Sequence, residues 1–154
     1  MSQVHQVAIA KPLAAGAGAV LCTLFIHALA LGATVNFFRR ETRLGRAGMR
    51  YVIDLTIVVL VLLFAFAAHV IEIAVWALLF MICGEFQDFA AAYYHSAVNY
   101  STLGYGDVIM SSSWKLLGPL EAADGSLMFG VSTAMIFAVI LRLIETRFTE
   151  LRAK

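Results

Sequence analysis

The sequence predicts an all-α membrane protein with three spanning helices and a re-entrant segment between the second and the third. Three observations predict it. Three apolar stretches are long enough to cross a bilayer, which takes about 20 helical residues. Two basic clusters fall on the same side of the topology those stretches define. A further segment is too apolar for a free loop and too broken by glycine for a spanning helix. Composition agrees: of 154 residues, 62% are hydrophobic and 14% charged, against roughly 45–50% and about 25% in ordinary soluble domains. The length leaves no room for a second domain of normal size.

The first stretch runs from about Leu13 to Phe38, with His27 as its only ionisable residue. Its alanines and glycines suit close helix packing. Small residues at Leu29–Ala33 could suggest a signal peptide, but only Lys11 precedes the apolar run. The dense basic cluster, Arg39, Arg40, Arg43, Arg46 and Arg50, follows it. Short basic loops stay in the cytoplasm, so the N-terminus is expected outside. The cluster reads as a loop in contact with anionic lipid heads rather than as a voltage sensor. A first region, 1–50, is therefore an N-terminal helix with its basic loop.

The second stretch, about Val52 to Cys83, is interrupted by Asp54, His69 and Glu72. At about 1.5 Å per residue it exceeds the hydrocarbon thickness, so it must tilt or emerge. The third begins near Pro119 and runs to about Leu141, with Pro119 as first helical residue and Glu121 in the first turn. After it come Arg142, Arg147, Arg152 and Lys154, a basic and hence cytoplasmic end. Residues 51–148 form the second region and 149–154 a short tail. Trp76 and Trp114 suit an outer interfacial belt, although any large apolar role fits Trp76. Cys22 and Cys83 lack metal-ligand or disulfide spacing and are expected to be small packing residues.

Between these helices, Gly84–Gly118 lies outside. Phe89–Val98 reads as a short helix with Asp88 at its N-cap. Two glycines flanking a tyrosine then break it. Non-helical backbone at membrane depth is tolerated only where it lines a cavity or is buried in protein.

The segment Ser101-Thr-Leu-Gly-Tyr-Gly-Asp107 resembles the potassium-channel signature Thr-X-Gly-Tyr-Gly-Asp, matching at Thr102, Gly104, Tyr105, Gly106 and Asp107, with Leu103 at the variable position. The resemblance covers roughly Val75 to Arg142 and points to small bacterial single-pore channels, with the first helix outside the pattern. It implies a pore-loop channel whose short helix precedes a selectivity filter. Carbonyls of Thr102, Leu103, Gly104 and Tyr105 would hold K⁺ in place of its water shell, with Gly106 completing the turn. The Thr102 hydroxyl would close the innermost site. Glycine enters left-handed conformations at no steric cost, which suits Gly104 and Gly106. Leu103 and Tyr105 would turn outward and pack against the short helix, and that helix would aim its negative end at the ion below. One chain supplies one loop and a closed ring needs four, so a cyclic homotetramer is expected.

Two departures stand out. Some related channels carry a carboxylate behind the filter, where this chain has Val98, and related channels often show two tryptophans on the short helix, where it has Tyr94 and His95. Tyr94 is expected to hydrogen-bond Asp107, with Ser101 and Val98 completing the support of the filter; the alternative is that Tyr94 only packs.

Other residues have paired readings. Asp124, Leu127, Gly130, Ala134 and Ala138 fall near one helix face and would line an inner cavity. There Asp124 would concentrate cations, unless it is tied to a polar group behind the filter. Gly130 is a hinge or a close-packing position, and Phe137 narrows the inner mouth or packs in the core. His27, His69 and Glu72 form a proton-sensing cluster, a metal site or polar glue between the first two helices.

The expected function is passive potassium conduction across the cell membrane, with K⁺ as permeant ion and no cofactor or nucleic-acid partner. The alternatives are a non-conducting accessory protein and a poorly selective cation channel. No nucleophile–base pair or metal constellation outside the filter suggests an enzyme.

Overall fold

A computed structural model describes residues 9–152. Lys154, assigned above to the cytoplasmic tail, lies outside the described residues. Four helices follow in order: α1 (Ala10–Arg43), α2 (Tyr51–Ile82), α3 (Phe89–Tyr100) and α4 (Leu117–Arg152). Three of them, α1, α2 and α4, are long and apolar enough to cross a membrane. At 34, 32 and 36 residues each exceeds the roughly 20 residues a bilayer core needs.

The helices outrun the apolar stretches because polar residues prolong them. Arg39, Arg40 and Arg43 lie in the last turns of α1, not in a loop. Arginine is a good helix former, and cations suit a helix C-terminus. Only Arg46 and Arg50 fall between α1 and α2. Likewise α4 continues past Leu141, and it starts at Leu117. Pro119 is thus its third residue, still within the turn that needs no N–H partner. Glu121 lies beyond the first turn and faces inward instead of complementing the helix dipole.

The chain divides into two compact units. One comprises α1 up to Ile26 together with His69–Met128. Trp76, Phe80, Tyr100, Leu117 and Met128 form its core with Ala19 and Met110. Trp76 is fully buried there rather than interfacial, and its indole N–H donates to Asp124 Oδ2 at 2.9 Å. Trp114 and Cys83 pack on the edge of this core, whereas Cys22 is exposed and not the packing residue expected. α4 approaches the end of α3 so closely that a Cβ on Gly125 would lie 2.1 Å from the Tyr100 carbonyl oxygen. Only glycine fits there.

The other unit comprises His27–Ala68 and the chain from Phe129 onward. Its core is Ala47, Ile57, Val61, Val139 and Leu143, with Phe37 and Phe38 against it. Phe37 meets Phe64 edge-on at 5.7 Å. Asp54 accepts the Gly48 N–H and the Arg147 guanidinium, each at 2.7 Å.

Candidate functional site

α3 begins where Asp88, extended at φ −112° and ψ 133°, accepts the Ala91 N–H at 2.9 Å. An acidic N-cap satisfies an otherwise orphaned donor. The helix ends at Ser101, whose hydroxyl donates to the Ala97 carbonyl at 2.6 Å. The chain then folds back on the last turn. Val98 is buried, and its carbonyl accepts the N–H groups of Leu103 and Gly104, at 3.0 and 3.3 Å. The Thr102 N–H donates to the Asn99 carbonyl at 2.8 Å.

From here the backbone alternates in hand. Thr102, Gly104 and Gly106 have φ of 63°, 58° and 73°, while Leu103 and Tyr105 remain at negative φ. Glycine reaches this region freely. A β-branched residue does not, which makes Thr102 an outlier held by its surroundings. Strain at Thr102 is invisible to the glycine pattern.

Within the chain, Leu103 and Tyr105 are 59% and 66% exposed. The loop backbone folds back on α3 through the carbonyls of Val98 and Asn99. Thr102, Gly104, Asp107, Lys115 and Pro119 instead border an open cavity of about 400 Å³ between α3 and the start of α4.

The bond expected of Tyr94 is present: its hydroxyl donates to Asp107 Oδ2 at 2.7 Å. This bond holds the Asp107 carboxyl below the usual aspartate range and pushes the Tyr94 phenol up. His95 is buried between Phe80 and Phe86, at ring distances of 5.4 and 5.1 Å. Burial lowers its pKa against the pull of Asp107 and Glu85. Beyond the loop, Glu85 accepts both the N–H and the hydroxyl of Ser111, at 2.7 and 2.6 Å.

Several polar residues that seat α3 escaped the sequence. Ser96 contacts the Ile73 carbonyl of α2 and Glu121 of α4, and the Tyr100 hydroxyl donates to Glu72 of α2. His69 Nδ1 lies 3.1 Å from the same hydroxyl and 3.3 Å from Glu72. The pair thus ties α2 to α3, while His27 lies 3.1 Å from Ser132 Oγ on α4. Ser96 and Tyr100 gave no signal beyond being polar groups inside an apolar segment.

On α4 the expected face splits. Asp124 is buried, with its Oδ2 accepting the Thr23 hydroxyl at 2.8 Å and the Trp76 N–H at 2.9 Å. It sits on the flank that packs inward, whereas Leu127, Gly130, Ala134, Phe137 and Ala138 are exposed. Phe137, 60% exposed, is not a core residue of the chain, and a Cβ on Gly130 would meet nothing within 4 Å among the described residues.

A family model described as "Ion channel" matches residues 56–142, more than half the chain. It takes in most of α2, all of α3, the Thr102–Asp107 loop and α4 as far as Arg142, and leaves α1 outside. No curated protein and no solved structure matches the chain. Three helices able to cross a membrane, a short helix with a hand-alternating loop between the last two, and the match over that same stretch lead to one conclusion: the chain belongs to the ion channel family.

Proposed function

We propose that the chain is one subunit of a cyclic homotetramer that conducts K⁺ passively and selectively across the cell membrane. One observation carries this: within Thr102-Leu-Gly-Tyr-Gly-Asp107, every second residue from Thr102 to Gly106 is left-handed. Alternation of hand lets successive carbonyls face the same side of the strand. Four such strands around an axis would offer rings of oxygens in place of the ion's hydration shell. α3 enters the bilayer as the pore helix, its C-terminal negative end aimed below the filter. The exposed Leu103 and Tyr105 side chains would be covered by neighbouring copies. Tyr94, Val98, Ser101 and Asp107 hold the filter from behind, and the exposed α4 residues Leu127, Gly130, Ala134 and Phe137 line the inner path.

Basic residues at the end of α1 and along the end of α4 favour an outside N-terminus and a cytoplasmic C-terminus. Asn36, Arg39, Arg40 and Arg43 border a concavity of about 420 Å³, which suits the phosphate of an anionic lipid. Native mass spectra retaining phosphatidylglycerol over phosphatidylcholine, and losing that preference in R39Q/R40Q/R43Q, would support the lipid site; equal retention of both lipids would remove it.

The conduction proposal is tested by ion flux into proteoliposomes loaded with potassium. Rubidium uptake with sodium excluded is expected. Uptake of both ions would indicate a poorly selective channel, and uptake of neither a non-conducting accessory protein.

A further inference from the structure

The Ser96 hydroxyl sits between two oxygens, 2.8 Å from the Ile73 carbonyl of α2 and 2.5 Å from Glu121 Oε1 of α4. Ser96 and Glu121 are both fully buried. A serine hydroxyl has one hydrogen to donate and two lone pairs to accept with. The Ile73 carbonyl can only accept. An ionised Glu121 could also only accept. One hydrogen would then serve two close oxygen contacts, and one of them would be two lone pairs facing each other.

The count closes with one more hydrogen. If Glu121 carries it on Oε1, Glu121 donates to Ser96 and Ser96 donates to Ile73. The other carboxyl oxygen agrees. Oε2 is buried without a close hydrogen-bond partner among the described residues; of the two Asn99 amide hydrogens, one serves the contact with His95 Nε2 at 2.9 Å and the other is left near the Glu121 carboxyl. An orphan lone pair costs far less on a neutral carbonyl oxygen than on a carboxylate. No cation is ion-paired with Glu121 among the described residues. Asp124, one turn further along α4, differs in receiving the N–H of Trp76 on Oδ2.

We infer that Glu121 is a neutral carboxylic acid at neutral pH and donates its proton into a relay, Glu121 to Ser96 to the Ile73 carbonyl, that pins α3 between α2 and α4. Glu121 is a positioning residue. It acts through α3, which ends at Tyr100, two residues before Thr102. That consequence for conduction rests on the proposed channel function; the protonation of Glu121 does not.

Infrared difference spectra of the full-length protein, wild type minus E121Q at neutral pH, test the inference. The expected spectrum has the carbonyl stretch of a protonated acid in wild type, lost in E121Q. In S96A, where the acceptor of that proton is gone, the band persists at a shifted frequency. Paired carboxylate stretches in place of the acid band would overturn the inference, as would an S96A band at the wild-type position. Thermal stability adds a second arm. E121Q, whose amide can still donate to Ser96, should melt close to wild type, and E121V well below it. Equal losses in both would contradict the relay. If E121Q does not fold, comparison of wild type with S96A still decides. A failure of the channel function would appear in ion flux and leave the acid band in place.

Discussion

The Tyr94 hydroxyl donates to Asp107 Oδ2 at 2.7 Å, joining the middle of α3 to the far end of the glycine-rich loop. Between these residues the chain leaves the helix, alternates in hand and returns. The bond closes that excursion. Since the bond is solvent-exposed, its contribution to folding is small, and its effect should appear in how long the loop keeps its shape.

Tyr94→Phe should therefore assemble normally but lose current severalfold faster under sustained conduction. Macroscopic current decay measures this. Decay identical to wild type would reduce Tyr94 to a packing residue.

Acid should act through the partner. The Asp107 carboxyl titrates below the usual aspartate range, chiefly because Tyr94 donates to it. A depressed folded pKa means the support is complete above the ordinary aspartate pKa and is lost as outer pH falls through the lowered value. Conduction should thus survive acidification through the range where free aspartate protonates, and fail below it. In Tyr94→Phe the acid limit should move up toward the ordinary value. Current against outer pH in the two proteins checks both points.

Gly104 has φ of 58°, with nothing within 4 Å of where a Cβ would stand. Space is not its constraint; handedness is. A left-handed L-residue costs roughly 1–2 kcal/mol, so Gly104→Ala should abolish or relax selectivity while the protein still folds and assembles. Loss of potassium preference with an unchanged elution profile is the expected result.

Gly125 is the opposite case. A Cβ there would meet the Tyr100 carbonyl at 2.1 Å. Overpacking typically costs about 1–3 kcal/mol, and a rigid backbone atom cannot yield, so Gly125→Ala should lower the melting temperature by several degrees or prevent assembly. Melting curves in detergent measure it.

Much of this architecture was legible in the sequence because it is local. Apolar runs mark α1, α2 and α4, Asp88 marks the start of α3, and the glycines mark the loop. The Tyr94–Asp107 bond was also within reach, since only a short hairpin separates the partners. The bonds Ser96–Glu121, Tyr100–Glu72 and Thr23–Asp124 were not. Each joins residues 25 or more positions apart, and a lone polar residue in an apolar helix has no periodicity that names its partner. Glu121 departs from expectation because α4 starts at Leu117, two residues before Pro119, which turns the same carboxyl from dipole partner to buried group. The exposure of Leu103 and Tyr105 was hidden for another reason. What covers them is expected to come from other copies, which no single sequence displays.

The most direct test of the central claim is the reversal potential of the purified protein in a planar bilayer with potassium on one side and sodium on the other. The proposed filter predicts reversal displaced strongly in the direction that favours potassium and unmoved by replacing chloride. Reversal close to zero, or no current from correctly assembled protein, would contradict it.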